Sequence, residues 1–138
     1  MPPIYEFTAP VIKGNGLGHS FGTPTLNQTL PDDKAAAALT YGVYFSRCEL
    51  DGTVYPAVSN VGVKPTINGI SSPAVESFLF GYSGDAYGRT VRTSLLEFRR
   101  PEKKFPDRES LFSAISRDGD AAAEFFGMEN ISREDKIK

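Results

Sequence analysis

Apolar and polar positions alternate along most of this chain with a period of two, and turn residues interrupt the alternation every 8–12 positions. Residues 4–12 read as a first strand, with Pro10 placing it at a sheet edge or a bulge. A short strand opens at Thr25. Gly42 to Leu50 forms another, Asp51-Gly52 is a two-residue hairpin turn, and the chain returns from Thr53 to Val63. Ala74 to Phe80 and Thr90 to Phe98 complete the set, separated by the turn Gly81-Tyr-Ser-Gly-Asp85. Strands at this spacing predict an antiparallel barrel or sandwich.

The period changes only near the end. Asp107 is a good N-cap, Glu109 suits the first-turn dipole, and Leu111, Phe112, Ile115 and Ala122 recur at helical spacing. Gly119 interrupts this helix at a cost of about 1 kcal/mol relative to Ala, so it can break near Asp118. Phe125-Phe126 are expected to dock on the barrel, Gly127 to end the helix, and the charged tail 128–138 to fray. Residues 30–40 are either a short helix capped by Asp32 or Asp33 or a flap, and 64–73 read as a loop.

Length and charge narrow the class. The 138 residues suit one domain with a core at about 9–126. A net charge of −2 gives no electrostatic reason to expect nucleic acid or an anionic membrane as partner. Cys48 is alone, which fits a reducing compartment. The start is neither basic nor apolar, and no run approaches the ~20 apolar residues that span a bilayer, so a cytoplasmic chain is expected. His19 is the only histidine, which argues against a histidine metal cluster.

Candidate chemistry concentrates in residues 13–28, where Gly14, Gly16, Gly18 and Gly22 precede Pro24-Thr25-Leu26-Asn27. Glycine-rich backbone can wrap its N–H groups around an anion, although such a stretch is as often a plain connection. No Gly-Lys-Ser or Gly-Lys-Thr occurs, so this is not the common phosphate loop, and His19 breaks the dinucleotide pattern. If Thr25 opens a strand, Thr25 and Asn27 share a face and Leu26 takes the other. By the same parity Glu76 groups with Ala74, Phe78 and Phe80, where a carboxylate is desolvated. A solvated surface glutamate is the alternative. Arg100-Pro-Glu-Lys-Lys-Phe105 by itself reads as a charged run before a helix.

Four stretches together resemble the riboflavin kinase (flavokinase) family. They are Gly16-Leu-Gly18-His-Ser-Phe-Gly22-Thr-Pro24-Thr25-Leu-Asn27, the Val75-Glu76 strand, Asp85-Ala-Tyr87-Gly88, and Arg100 to Phe105 before a final helix. They lie in the family's order across about residues 9–126. The resemblance implies an all-β fold: a closed six-stranded antiparallel Greek-key barrel with a C-terminal α-helix packed on it. It implies transfer of the γ-phosphate of ATP to the ribityl 5′-hydroxyl of riboflavin, giving FMN, with Mg²⁺ arriving as a chelate of ATP. Glu76 matches the catalytic glutamate, the general base. Thr25 and Asn27 match the residues that meet the metal. Gly16, Gly18, His19, Gly22, Pro24, Thr25 and Tyr87 fall to ATP. Arg100, Glu102, Phe105 and Leu111 fall to the flavin.

Two positions depart from the family's pattern. A basic residue is usual near His19, and a histidine there carries less positive charge at neutral pH; Lys13 or Lys64 could compensate. Leu26 replaces the usual small residue and is expected to be a packing change. The partners implied are riboflavin and ATP, with a monomeric, cytoplasmic chain. No residues remain for the nucleotidylyltransferase module fused to many bacterial relatives, so FAD synthesis is not expected. The alternatives are a non-catalytic flavin- or nucleotide-binding sensor of the same fold, and an oligonucleotide-binding barrel, which the acidic balance disfavours.

Overall fold

The alternation sorts side chains between a lumen and an outer wall. In this computed structural model the described residues are 2–12, 25–65, 71–82, 84 and 86–101; within 113–126 they are 113, 114, 117, 118, 120, 121 and 124–126. Six strands are present: β1 (Tyr5–Pro10), β2 (Thr25–Thr29), β3 (Gly42–Leu50), β4 (Thr53–Pro65), β5 (Ser71–Leu79) and β6 (Thr90–Pro101). They form one sheet in the order β1-β6-β3-β4-β5-β2, and every pairing is antiparallel. The sheet curls into a nearly closed barrel. Among the described residues its two edges meet at a single bridge, in which the Ile12 N–H donates to the Asn27 carbonyl at 2.7 Å.

Gln28 completes the closure from inside. It is fully buried, and its amide nitrogen donates to the carbonyls of Ala9 and Val91, both at 2.9 Å, while its oxygen accepts from the Thr93 hydroxyl at 2.6 Å. One side chain on β2 thus ties together the two strands across the seam. A second buried chain of hydroxyls, Ser46 to Ser59 to Ser77, links β3, β4 and β5 at 2.7 Å per step. Apolar layers lie on either side of these polar groups. Tyr5, Phe7, Tyr44, Val61, Val75 and Leu95 fill one, and Leu26, Cys48, Leu50, Ala57, Leu79 and Val91 the other.

Asp51 and Gly52 both hold positive φ, 52° and 80°, as a tight hairpin turn between β3 and β4 requires. Of the two candidate caps, Asp33 is the one used. Its Oδ1 accepts from Ala36 N at 2.7 Å at the start of the short helix α1 (Lys34–Ala37), and its Oδ2 accepts from the Tyr5 hydroxyl at 2.9 Å.

Two strand ends run past their expected limits. The β4–β5 ladder continues through Lys64↔Ser72 and Pro65↔Ser71, into the stretch read as a loop, because backbone pairing does not need apolar side chains. β6 extends to Pro101, which places Arg100 on a strand and not in a charged connection. Ser113, Ala114, Arg117, Asp118, Asp120, Ala121, Glu124 and Phe125 are helical; the start and end expected for that helix, at Asp107 and Gly127, lie outside the described residues. Ala121, Phe125 and Phe126 pack on Val43, Phe45, Val58 and Phe80 of the outer wall, with the Phe45 and Phe125 rings 4.8 Å apart. No described helix is long and apolar enough to cross a membrane.

Candidate active site

Register puts the candidate residues in one row. On β5, Val75, Ser77 and Leu79 fill the lumen, so Ala74, Glu76, Phe78 and Phe80 take the outer wall, as the parity of the sequence requires. Glu76 pairs directly with Asn27 of β2 on one side and with Asn60 of β4 on the other. Residues directly opposite in an antiparallel pair share a face, with Cβ atoms about 4.5–5.5 Å apart. Thr25 pairs with Phe78, and Leu26 is buried in the lumen at 2% exposure. Leu26 is therefore a core residue, as expected, and leaves the site's chemistry alone.

Glu76 is only 7% exposed, which rules out the solvated-surface alternative. Burying a carboxylate is costly unless partners meet it, and Glu76 has such an interaction. Next to it, Oδ1 of Asn60 is buried without a hydrogen-bond partner among the described residues. The row offers a carboxylate and two amides, all oxygen donors, which suits a hard cation accompanied by phosphate oxygens. Among the described residues, no three His, Cys, Asp or Glu side chains converge as a metal cluster.

The row continues across the sheet. Asn60 pairs with Val43 on β3, and Val43 with Arg100 on β6. A bulge makes the last step. β6 slips register between Val43 and Tyr44, so Arg99 is an extra residue and Arg100 faces the outer wall beside Val43 while Phe98 packs edge-on to Tyr44 at 5.3 Å. Simple alternation would have put Phe98 and Arg100 on the same face. Gly42 permits the close crossing: a Cβ there would lie 2.3 Å from the Arg100 carbonyl oxygen.

Once on the outer wall, the Arg100 guanidinium forks onto Asp118, with Nε to Oδ1 at 3.1 Å and Nη2 to Oδ2 at 2.8 Å. Asp118 is 7% exposed. This bidentate pair fastens the helical segment to the sheet and fixes one end of the row. From Asn27 to Arg100 is four strand steps, about 19 Å along the curved surface.

Other candidates sit as follows. Ile12 and Thr25, the described residues that flank the glycine-rich segment, lie next to Asn27. Gly16, Gly18, His19, Gly22 and Pro24 themselves lie outside the described residues, as do Glu102, Phe105 and Leu111. Tyr87 is 56% exposed on the connection before β6. Two residues, Asn60 in the row and Asp118 bonded to its end, escaped the sequence reading. Asn60 could have been found as an amide inside the otherwise apolar and small run Ala57-Val-Ser-Asn-Val-Gly62, but Asp118 gave no signal, since its role depends on the bulge.

Comparison with known proteins shows the family. The family model for flavokinase (riboflavin kinase) matches residues 1–126. A bifunctional riboflavin kinase/FMN adenylyltransferase of Pseudomonas fluorescens is 34% identical over 118 residues, covering 86% of this chain and 37% of that protein. The RNA-binding riboflavin kinase RibR of Bacillus subtilis is 33% identical over 126 residues, covering 91% of this chain and 53% of that protein. The chain thus spans about a third to a half of the length of these curated relatives. The crystal structure of riboflavin kinase from Trypanosoma brucei superposes with a TM-score of 0.62 at 19% identity, covering 88% of this chain and 76% of that one, a likeness of fold. With six antiparallel strands in a near-closed barrel, a family match over residues 1–126 and relatives 33–34% identical, the chain belongs to the riboflavin kinase (flavokinase) family.

Proposed function

We propose that the chain is an ATP-dependent riboflavin 5′-phosphotransferase that converts riboflavin to FMN. The observation that carries this reading is the Asn27–Glu76 pair: a buried carboxylate directly opposite an amide, next to the described residues that flank the glycine-rich segment. Phosphoryl transfer asks the protein for charge neutralisation, positioning and a group to take the hydroxyl proton. Glu76 is assigned the last. It removes the proton from the terminal ribityl hydroxyl as that oxygen attacks the γ-phosphorus and ADP departs.

Thr25 and Asn27 would hold Mg²⁺ brought in with ATP. Both are neutral, so the charge that binds the metal comes mainly from the nucleotide. The metal supplies charge neutralisation on the phosphates. Gly16, Gly18, His19, Gly22 and Pro24 are assigned to the phosphates and Tyr87 to the nucleotide. The flavin ring takes the other end of the row. Arg100, held by Asp118, is assigned to the flavin together with Glu102, Phe105 and Leu111. The reading assigns only small-molecule substrates, a monomer and a cytoplasmic setting, where a buried free thiol such as Cys48 is stable. The RNA binding named for the Bacillus relative is not carried over, because a net charge of −2 offers no basic surface balance.

Chromatography of riboflavin incubated with the protein and Mg²⁺ tests the proposal. FMN should form with ATP and not without it. Unchanged riboflavin under every nucleotide triphosphate would refute it.

A further inference from the structure

Asn60 is the member of the row that no assigned step uses. Its Oδ1 is buried and lacks a donor among the described residues, an expensive arrangement in a folded protein, while the residue as a whole stays partly exposed. The neighbouring hydroxyls show that this wall can satisfy its polar groups: Ser59, one residue earlier and facing the lumen, bonds both Ser46 and Ser77 at 2.7 Å. The orphan instead lies on the outer face, one strand step from Glu76 and on the side that leads to Arg100. A ligand that stretches from Glu76 toward Arg100 therefore passes over Asn60.

Resting on the kinase reading, we propose that Asn60 is a specificity-determining residue, whose Oδ1 accepts a hydrogen bond from an interior hydroxyl of a polyol chain. The terminal hydroxyl of that chain lies at Glu76. An amide oxygen requires a donor, and along such a ligand the hydroxyls between ring and reacting carbon supply it. Asn60 thereby favours acceptors that carry hydroxyls along the chain over those with a bare alkyl chain. The discrimination arises because the bare chain leaves a buried acceptor unpaired.

The test measures flavin affinity by fluorescence quenching, which needs no turnover. The wild-type protein is titrated with riboflavin and with a flavin bearing an ω-hydroxyalkyl chain that lacks the interior hydroxyls. We expect riboflavin to bind about tenfold tighter. In Asn60→Ala riboflavin should weaken about tenfold and the bare-chain flavin less than twofold. The unliganded melting temperature should not fall, because the variant removes an acceptor that was unpaired. Equal wild-type affinities, or equal weakening of both flavins in Asn60→Ala, would overturn the proposal and mark Asn60 as structural. The wild-type comparison decides the matter even if the variant fails to fold. FMN formation is scored separately. Discrimination without FMN keeps Asn60 and removes the kinase, whereas FMN formation without discrimination does the reverse.

Discussion

At the scale of single residues, burial divides the ionisable groups into working and silent ones. Cys48 is completely buried in the lumen, and desolvation pushes its thiol up from 9.0 to about 11, against the smaller opposing effect of its hydrogen bonds with Thr93 and Ser77. Burial, then the bond to Asp33, pushes the Tyr5 hydroxyl up from 10.0 to about 12. Both groups keep their protons more firmly in the folded chain than in the unfolded one. The stability they contribute is fully present below pH 9 and is lost as pH rises through 11 and 12. Urea midpoints should therefore fall steadily from pH 9 to pH 12, and native Cys48 should resist a thiol reagent at pH 8 until urea unfolds the chain. Rapid modification of the native protein at pH 8 would show that the lumen is open. Glu76 is the contrasting case: parity groups it with Ala74, Phe78 and Phe80, and the structure buries its carboxylate on that face.

Among elements, the strands and the Asp51-Gly52 turn were readable because each is a local pattern, and they recur with small shifts at their ends. What could not be read was set by register. A period-two reading places Phe98 and Arg100 together; the extra residue at Arg99 separates them and hands Arg100 to Asp118. Asp118→Ala tests that junction. It leaves a half-buried guanidinium without its carboxylate, and we expect a stability loss of about 1–3 kcal/mol. If Arg100 positions the flavin segment, the riboflavin KM should rise more than kcat falls. A variant with wild-type melting temperature and KM would remove the pair from both roles. The cap at Asp33 illustrates the opposite limit. Sequence offered Asp32 and Asp33 equally, and the long-range contact with Tyr5 accompanies the choice of the second.

For the molecule as a whole, Gln28 joins the barrel's seam from inside, beside the one bridge, Ile12 to Asn27, found there among the described residues. Nothing in the run Thr25-Leu-Asn-Gln-Thr marks that glutamine as interior; alternation makes it so, and its partners Ala9, Val91 and Thr93 come from both ends of the chain. Gln28→Leu should strand two carbonyls and a hydroxyl in the core and cost about 2–4 kcal/mol in urea unfolding. A loss below about 0.5 kcal/mol would mean that the seam is held elsewhere. The closure also places the site, because the seam bridge joins Ile12 to Asn27, and Asn27 faces Glu76.

The central claim is that a buried carboxylate on the outer wall takes the proton from the alcohol that is phosphorylated. Steady-state turnover of Glu76→Gln, measured beside its riboflavin affinity, tests this most directly. The account predicts kcat lower by about 10²–10⁴ with flavin binding within a few-fold of wild type. Wild-type turnover in that variant would contradict it.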